Sequence, residues 1–168
     1  MKKALLIFAL AFCTSHAFCE TKVINWDKLN FLIGNWLGSG NDAKGAVTGT
    51  FSFKLDLNKN ILVRKSHSVY QSKNAKANHD DLLIVYEDNS EKMKAIFFDN
   101  EGNIINYNIS FTDSTVVFIS EPSDNAPQFR LTYTKISPEK VRVDFDFAKA
   151  GKPGEFTSYV SGFATKIK

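Results

Sequence analysis

Val47-Thr48-Gly49-Thr50-Phe51-Ser52-Phe53-Lys54-Leu55-Asp56-Leu57 is the stretch that decides the fold class. Val47, Phe51, Phe53, Leu55 and Leu57 share one set of alternate positions with Gly49, and Thr48, Thr50, Ser52, Lys54 and Asp56 fill the other. Successive side chains of a strand point to opposite faces, so a two-residue period sets one face on a core and the other in water. A helix would scatter the same residues around its circumference. Asn58-Lys59-Asn60 interrupts the pattern with turn-forming residues, and β-rich sequence resumes over 61–70.

The same reading runs to the C-terminus. A polar stretch, 72–80, reads as a loop. Further strands are expected over 82–86, 93–98, 104–111, 116–120, 129–136, 141–147 and 156–167. Asp99-Asn100-Glu101-Gly102-Asn103 is a strong hairpin turn, and Pro122, Pro138 and Gly151 mark other breaks. With 36–40 as the first, this makes about ten strands. The links are too short for crossover helices, which excludes a parallel sheet. An open sheet of that width would expose two edges, so closure into an antiparallel barrel is predicted. Ahead of the strands, Asn25 is a plausible N-cap and Trp26, Leu29, Phe31, Leu32 and Ile33 form an apolar patch, which predicts a short N-terminal helix ended by Gly34.

Composition sets outer limits. The chain has 168 residues, 43% hydrophobic and 23% charged, which suits one globular domain and excludes a fully disordered chain. Met1-Lys2-Lys3, an uncharged apolar run over 4–13 and the small residues of Ser15-His16-Ala17 form a secretory signal of bacterial type. We therefore expect a leader over 1–17, a single domain over 18–168, and a periplasmic or secreted protein. The run is shorter than the roughly 20 residues that span a bilayer. Cleavage after Ala17 or after Cys19 both fit; either leaves at most one thiol, so no intrachain disulfide is expected. Cys13 follows Phe12 and Cys19 follows Phe18, whereas a lipidated cysteine follows a small residue, so no lipid anchor is expected. Without Lys2 and Lys3 the 21 basic residues become 19, against 18 acidic, a net charge of about +1. No basic stripe is visible, which argues against nucleic acid as a partner. Oligomeric state is left open.

Leu32-Ile33-Gly34-Asn35-Trp36-Leu37-Gly38-Ser39-Gly40 carries a Gly-x-Trp-x-Gly-x-Gly pattern ahead of the strands. It resembles the opening of calycin-type barrels, the group of lipocalins, fatty-acid-binding proteins and nitrobindins. The chain is most similar to a family of small secreted bacterial domains of unknown function, which share the helix, this motif, a Leu62-Val63-Arg64 strand and the Phe98-Asp99-Asn100-Glu101-Gly102 hairpin. The resemblance implies a ligand-binding interior. Nitrobindins hold haem through a histidine late in the chain; here no histidine follows His79, and the last strand offers Tyr159, Ser161, Phe163 and Thr165. Tyrosine can ligate haem iron, which makes Tyr159 the one substitute, but no cofactor is expected.

Other chemistry is sparse. His79-Asp80-Asp81 reads as a solvated loop rather than a metal site, and no metal is expected. Asp144 and Asp146 share a strand face opposite Val143, Phe145 and Phe147, and are expected to face water. No nucleophile elbow or phosphate loop is present, and no catalytic set is assigned. Trp36 is expected to plug the barrel floor. Arg64 is the most suggestive polar residue. If Leu62, Arg64, Ser66, Ser68 and Tyr70 face inward, a guanidinium lies inside the barrel and requires an anion, from a ligand or from the wall. The other register turns Val63, Lys65, His67 and Val69 inward, and the pattern leaves both open. Ligand contacts are expected from Trp36, Arg64, Ser66, Tyr70, Tyr107 and Tyr159, around a small, mainly apolar molecule. Two alternatives remain: an enzyme acting on a small or lipid-like substrate through Arg64, Tyr70 or Tyr107, and a ligand-free structural or interaction barrel.

Overall fold

The computed structural model describes residues 24–43, 45–72 and 75–168. The expected leader, both cysteines and the candidate cleavage sites lie outside the described residues. Ten strands follow one another: β1 Gly34–Asp42, β2 Gly45–Asp56, β3 Ile61–Ser72, β4 Lys76–Glu87, β5 Met93–Asp99, β6 Ile104–Phe111, β7 Thr115–Ser120, β8 Gln128–Ser137, β9 Lys140–Ala148 and β10 Thr157–Ile167. Each pairs antiparallel with its neighbours, and β10 closes onto β1 from Asn35↔Ile167 to Asp42↔Val160. The predicted all-β, ten-stranded closed barrel is therefore present. The polar stretch over 72–80 is mostly strand rather than loop: Tyr70 pairs with Ala77 and Gln71 with Lys76, so backbone pairing overrides the polar side chains.

Closure depends on a glycine seam. Gly38 pairs with Gly49, and Gly40 with Gly162. A Cβ on Gly40 would sit 2.4 Å from the Ser161 carbonyl oxygen and 2.8 Å from the Gly162 Cα. Here β1 and β10 approach more closely than side chains allow, as do β2 and β3 at Gly49, where a Cβ would sit 2.4 Å from the His67 carbonyl oxygen, and the wall can bend.

The other end is plugged, but not by the expected helix. Among the described residues the one helical element is a 3₁₀ turn, Asn30–Leu32, preceded by hydrogen-bonded turns from Trp26. Every bond here is of i→i+3 type: the Leu29 amide donates to Trp26, Asn30 to Asp27, Leu32 to Leu29 and Ile33 to Asn30. The reason lies in the apolar spacing. Trp26, Leu29 and Leu32 recur every three residues, which aligns on one face at three residues per turn, and all three are buried. Asn25 does not cap a helix; its Oδ1 accepts from the Asp27 amide to start the turn. Trp36 is fully buried beside this plug and donates from Nε1 to the Leu32 carbonyl at 2.7 Å, while Trp26 Nε1 donates to the Lys59 carbonyl at 2.8 Å. Both indole N–H groups bind backbone oxygens and tie the plug to the barrel floor.

Candidate functional site

The registers fix which side chains point inward. On β3 they are Leu62, Arg64, Ser66, Ser68 and Tyr70, since Leu62, Arg64 and Ser66 are buried while Lys65 and His67 are exposed. The two-register ambiguity of the sequence is thereby resolved. Cross-strand partners carry the same face through Asp81, Leu83 and Val85 on β4, Ala95 and Phe97 on β5, Tyr107 on β6, Val116 and Phe118 on β7 and Leu131 and Tyr133 on β8.

The interior divides into a filled lower half and an upper half that solvent reaches. In the lower half, Leu62, Phe53, Tyr133, Phe118 and Val141 are fully buried, and Tyr133 meets both Phe53 and Phe118 edge-on. Trp36 stacks on Phe51 at 5.9 Å, and Phe51 meets Tyr133 edge-on at 5.8 Å. Towards the mouth, inward side chains lose their cover. Phe129 and Phe145 stack in parallel at 5.9 Å, yet both are only half-buried. Tyr70 and Val160 are half-buried too. Aromatic side chains that face the barrel interior at this end are therefore less covered than those below them.

A polar cluster lies between the filled half and this less covered end, with Arg64 and Ser66 between Leu62 and Tyr70 along β3. Arg64 Nη1 donates to Asp81 Oδ1 at 2.6 Å, with side-chain exposures of 10% and 6%. The contact is diagonal, because Asp81 pairs with Ser66, two residues along β3. The guanidinium carbon also lies 5.5 Å from the Phe51 ring centroid. Burial opposes the Arg64 charge, but Asp81 and the nearby tyrosines outweigh it, and its pKa is raised. Three buried polar atoms of the cluster have no hydrogen-bond partner: Arg64 Nε, Tyr107 Oη and Tyr133 Oη. The Tyr133 hydroxyl is near enough to feel the guanidinium but makes no well-aligned hydrogen bond. Burial pushes Tyr133 up to about 12, and Tyr107 higher still, so both hydroxyls keep their protons at physiological pH.

The six residues singled out from the sequence fall into three places. Trp36 belongs to the floor plug. Arg64, Ser66 and Tyr107 lie together in the polar cluster. Tyr70 and Tyr159 stand at the mouth, where burial and the neighbouring Tyr159 push the Tyr70 hydroxyl up to about 12. Tyr159 is nearly half exposed; a bulge between Ser158 and Val160 turns its ring edge-on to Phe145 and Phe147. Sequence reasoning missed Asp81 and Tyr133. Asp81 belongs to the predicted solvated loop, but β4 starts at Lys76 and carries the residue inside. His79 is also inward, edge-on to Tyr70 at 6.3 Å, with Glu101 at 3.6 Å and Asp81 at 3.9 Å. With Asp99, whose carboxylate caps its own hairpin, His79 and Glu101 form a set that could hold a metal ion.

Asp144 and Asp146 do point outward, but neither meets open water. Asp146 Oδ2 accepts from Arg130 Nε and Nη2 at 3.0 and 2.9 Å, and Asp144 accepts from Arg142 and from the Ser161 hydroxyl. Arg130 in turn lies 4.1 Å from the Phe156 ring centroid, in the segment before β10 that covers this pair. Outside the wall, a depression of about 830 Å³ crosses β1–β5, lined by Thr50, Ser52, Lys65, His67, Asp80 and Phe98 among others. There His67 Nδ1 and Asp80 Oδ1 are 2.7 Å apart, both well exposed.

No family model matches the sequence, and no curated protein matches it either. Solved structures do resemble the barrel. Rv2717c from M. tuberculosis superposes with a TM-score of 0.58 at 11% identity, over 85% of this chain and 97% of that one. The S-type phycobiliprotein lyase CPES from Guillardia theta gives 0.49 at 11% identity, over 83% and 90%. A de novo designed fluorescence-activating β-barrel gives 0.46 at 12%, over 84% and 98%. Rv2717c shares the fold across nearly its whole length; at such identity the likeness is one of architecture.

Proposed function

We propose that this barrel binds a small, mainly apolar molecule in its upper chamber. One observation carries the reading: half-buried aromatic side chains face an interior whose floor holds three partnerless buried polar atoms. A side chain packed only for stability has no need of an orphaned donor, since each costs about 1–3 kcal/mol. A bound molecule with a suitable polar end removes that cost and covers the exposed rings. Arg64, Ser66 and Tyr107 would set its orientation, Tyr70 and Tyr159 would flank its entry, and Trp36 would hold the floor on which it rests.

The reading extends to setting. The signal-like start of the chain supports a periplasmic or secreted carrier without a lipid anchor, in keeping with the resemblance to small secreted bacterial domains. It involves neither nucleic acid nor haem. The inward face of β10 presents Val160, Gly162 and Ala164, and the inward imidazole, His79, stands on another wall between carboxylates. That set does not fit the late-histidine pattern of nitrobindins.

A solvatochromic naphthyl ketone dye tests the site. It is expected to bind at one-to-one stoichiometry with a blue shift, and to lose binding in Ser66→Trp, which fills the chamber floor. Equal binding by the two proteins would place the dye outside the barrel and refute the reading.

A further inference from the structure

We infer that the chamber selects an electrically neutral ligand bearing a carbonyl-type acceptor oxygen, and discriminates against carboxylates. This rests on the interior-binding reading above and narrows it. A lone buried arginine would call for an anion, but here Asp81 already supplies one, at 2.6 Å and from within the wall. The floor is thus a neutral pair. A carboxylate lowered onto it would stand beside Asp81 and would have to win the guanidinium away from a short, charge-assisted bond. Asp99 and Glu101 add further negative charge near the rim, around His79.

The unpartnered groups specify what the ligand must offer. Arg64 Nε is a donor only, and the Tyr107 and Tyr133 hydroxyls remain protonated and are free to donate. Three donors at the floor thus lack partners in the wall, while Asp81 Oδ1 is already engaged by Arg64. An acceptor oxygen with two lone pairs, such as a ketone, quinone or lactam carbonyl, satisfies two of them at once. The wall above includes Phe97, Phe129 and Phe145, which suits a flat apolar body.

Three naphthalenes of nearly one shape provide the test: 2-acetylnaphthalene, 2-naphthoate and 2-ethylnaphthalene, titrated calorimetrically into the full-length mature protein at neutral pH. The ketone is expected to bind about tenfold more tightly than the hydrocarbon, the worth of one to two hydrogen bonds, and the naphthoate most weakly. Tyr107→Phe removes one donor at almost constant shape. It is expected to cut the ketone's advantage to about threefold while leaving the hydrocarbon unchanged. Naphthoate binding as tightly as the ketone would overturn the inference and leave the binding site standing. Equal affinity for ketone and hydrocarbon would overturn it as well, since the donors would then be idle. Failure of all three to bind would remove the interior site itself, and the inference with it.

Discussion

Removing one member of the Arg64–Asp81 pair should cost far more than removing both. Asp81→Leu leaves a guanidinium with 10% side-chain exposure and a partnerless Nε, surrounded by Phe51, Tyr107 and Tyr133. Breaking a buried pair from one side costs about 3–5 kcal/mol, because the remaining charge must be held without its counter-charge. For a chain of this size each kcal/mol lowers Tm by roughly 2–4 °C, so the variant should melt about 6–20 °C below the parent. Arg64→Met with Asp81→Leu removes the charge and its partner together and puts apolar volume in their place. It should recover most of the loss, to within about 1 kcal/mol of the parent, because desolvating two charges consumes much of what their attraction returns. Urea unfolding followed by circular dichroism gives both numbers, provided the slope against denaturant stays constant among the variants. A double variant as unstable as the single would refute the reasoning: the pair would then be a net source of stability. The double variant also separates folding from function, because it should keep the barrel and, with one of three donors removed, reduce the preference for ketone over hydrocarbon without abolishing it.

The buried tyrosines should make the barrel sensitive to alkali. Tyr133 is raised by burial from 10.0 to about 12, so the stability from keeping it protonated, on the order of 3 kcal/mol, is fully present below pH 10 and is lost as the pH rises towards 12. Phenolate absorbance should therefore rise together with loss of the far-ultraviolet signal, and smooth ionisation of every tyrosine near pH 10 with the fold intact would contradict the burial. Gly40→Ala should destabilise by about 3 kcal/mol through overpacking at the seam, whereas Gly102→Ala, where a Cβ meets nothing within 4 Å at φ +88°, should cost only about 1 kcal/mol of backbone strain; equal losses in thermal melts would mean that the seam is not tightly packed.

How much of this could be read from the chain depends on whether a strand contrasts its two faces. In β2 the contrast is complete, and the register found, with Phe51 and Phe53 inside, is the one that alternation predicts. In β3 both faces mix apolar and polar residues, with Arg64, Ser66 and Ser68 on one and Lys65 and His67 on the other, so only pairing with β2 and β4 settles that Arg64 points in. Asp81 was illegible for a related reason. Leu82, Leu83, Ile84 and Val85 are apolar without a break, so nothing in β4 says which parity is inward, and the aspartate's place inside follows only from its register with Ser66. Tyr133 lies on the predicted strand over 129–136, but a tyrosine there reads as wall, and only its partnerless hydroxyl marks it as part of the floor. The N-terminal plug failed differently. Its apolar residues recur every three positions, and a reading attuned to a 3.6-residue period takes the same residues for an α-helix.

These failures have a common origin that bears on function. A core specified by apolar contrast can be filled by many sequences, and alternation suffices to encode it. A polar floor inside an aromatic barrel is encoded by pairing geometry: Arg64 is tolerable because a diagonal across two strands brings Asp81 to 2.6 Å. That geometry fixes the charge of the floor before any ligand arrives. The same arginine with an apolar residue at 81 would make an anion site; with Asp81 in place it makes a set of directed donors on a neutral base. Asp81→Asn tests this with the least change of shape. It leaves the guanidinium a hydrogen-bond partner but no counter-charge, and it should move the preference among the three naphthalenes towards 2-naphthoate by about tenfold or more. An unchanged order of affinities in a folded Asp81→Asn protein would mean that Arg64 and Asp81 do not set the selectivity of the chamber.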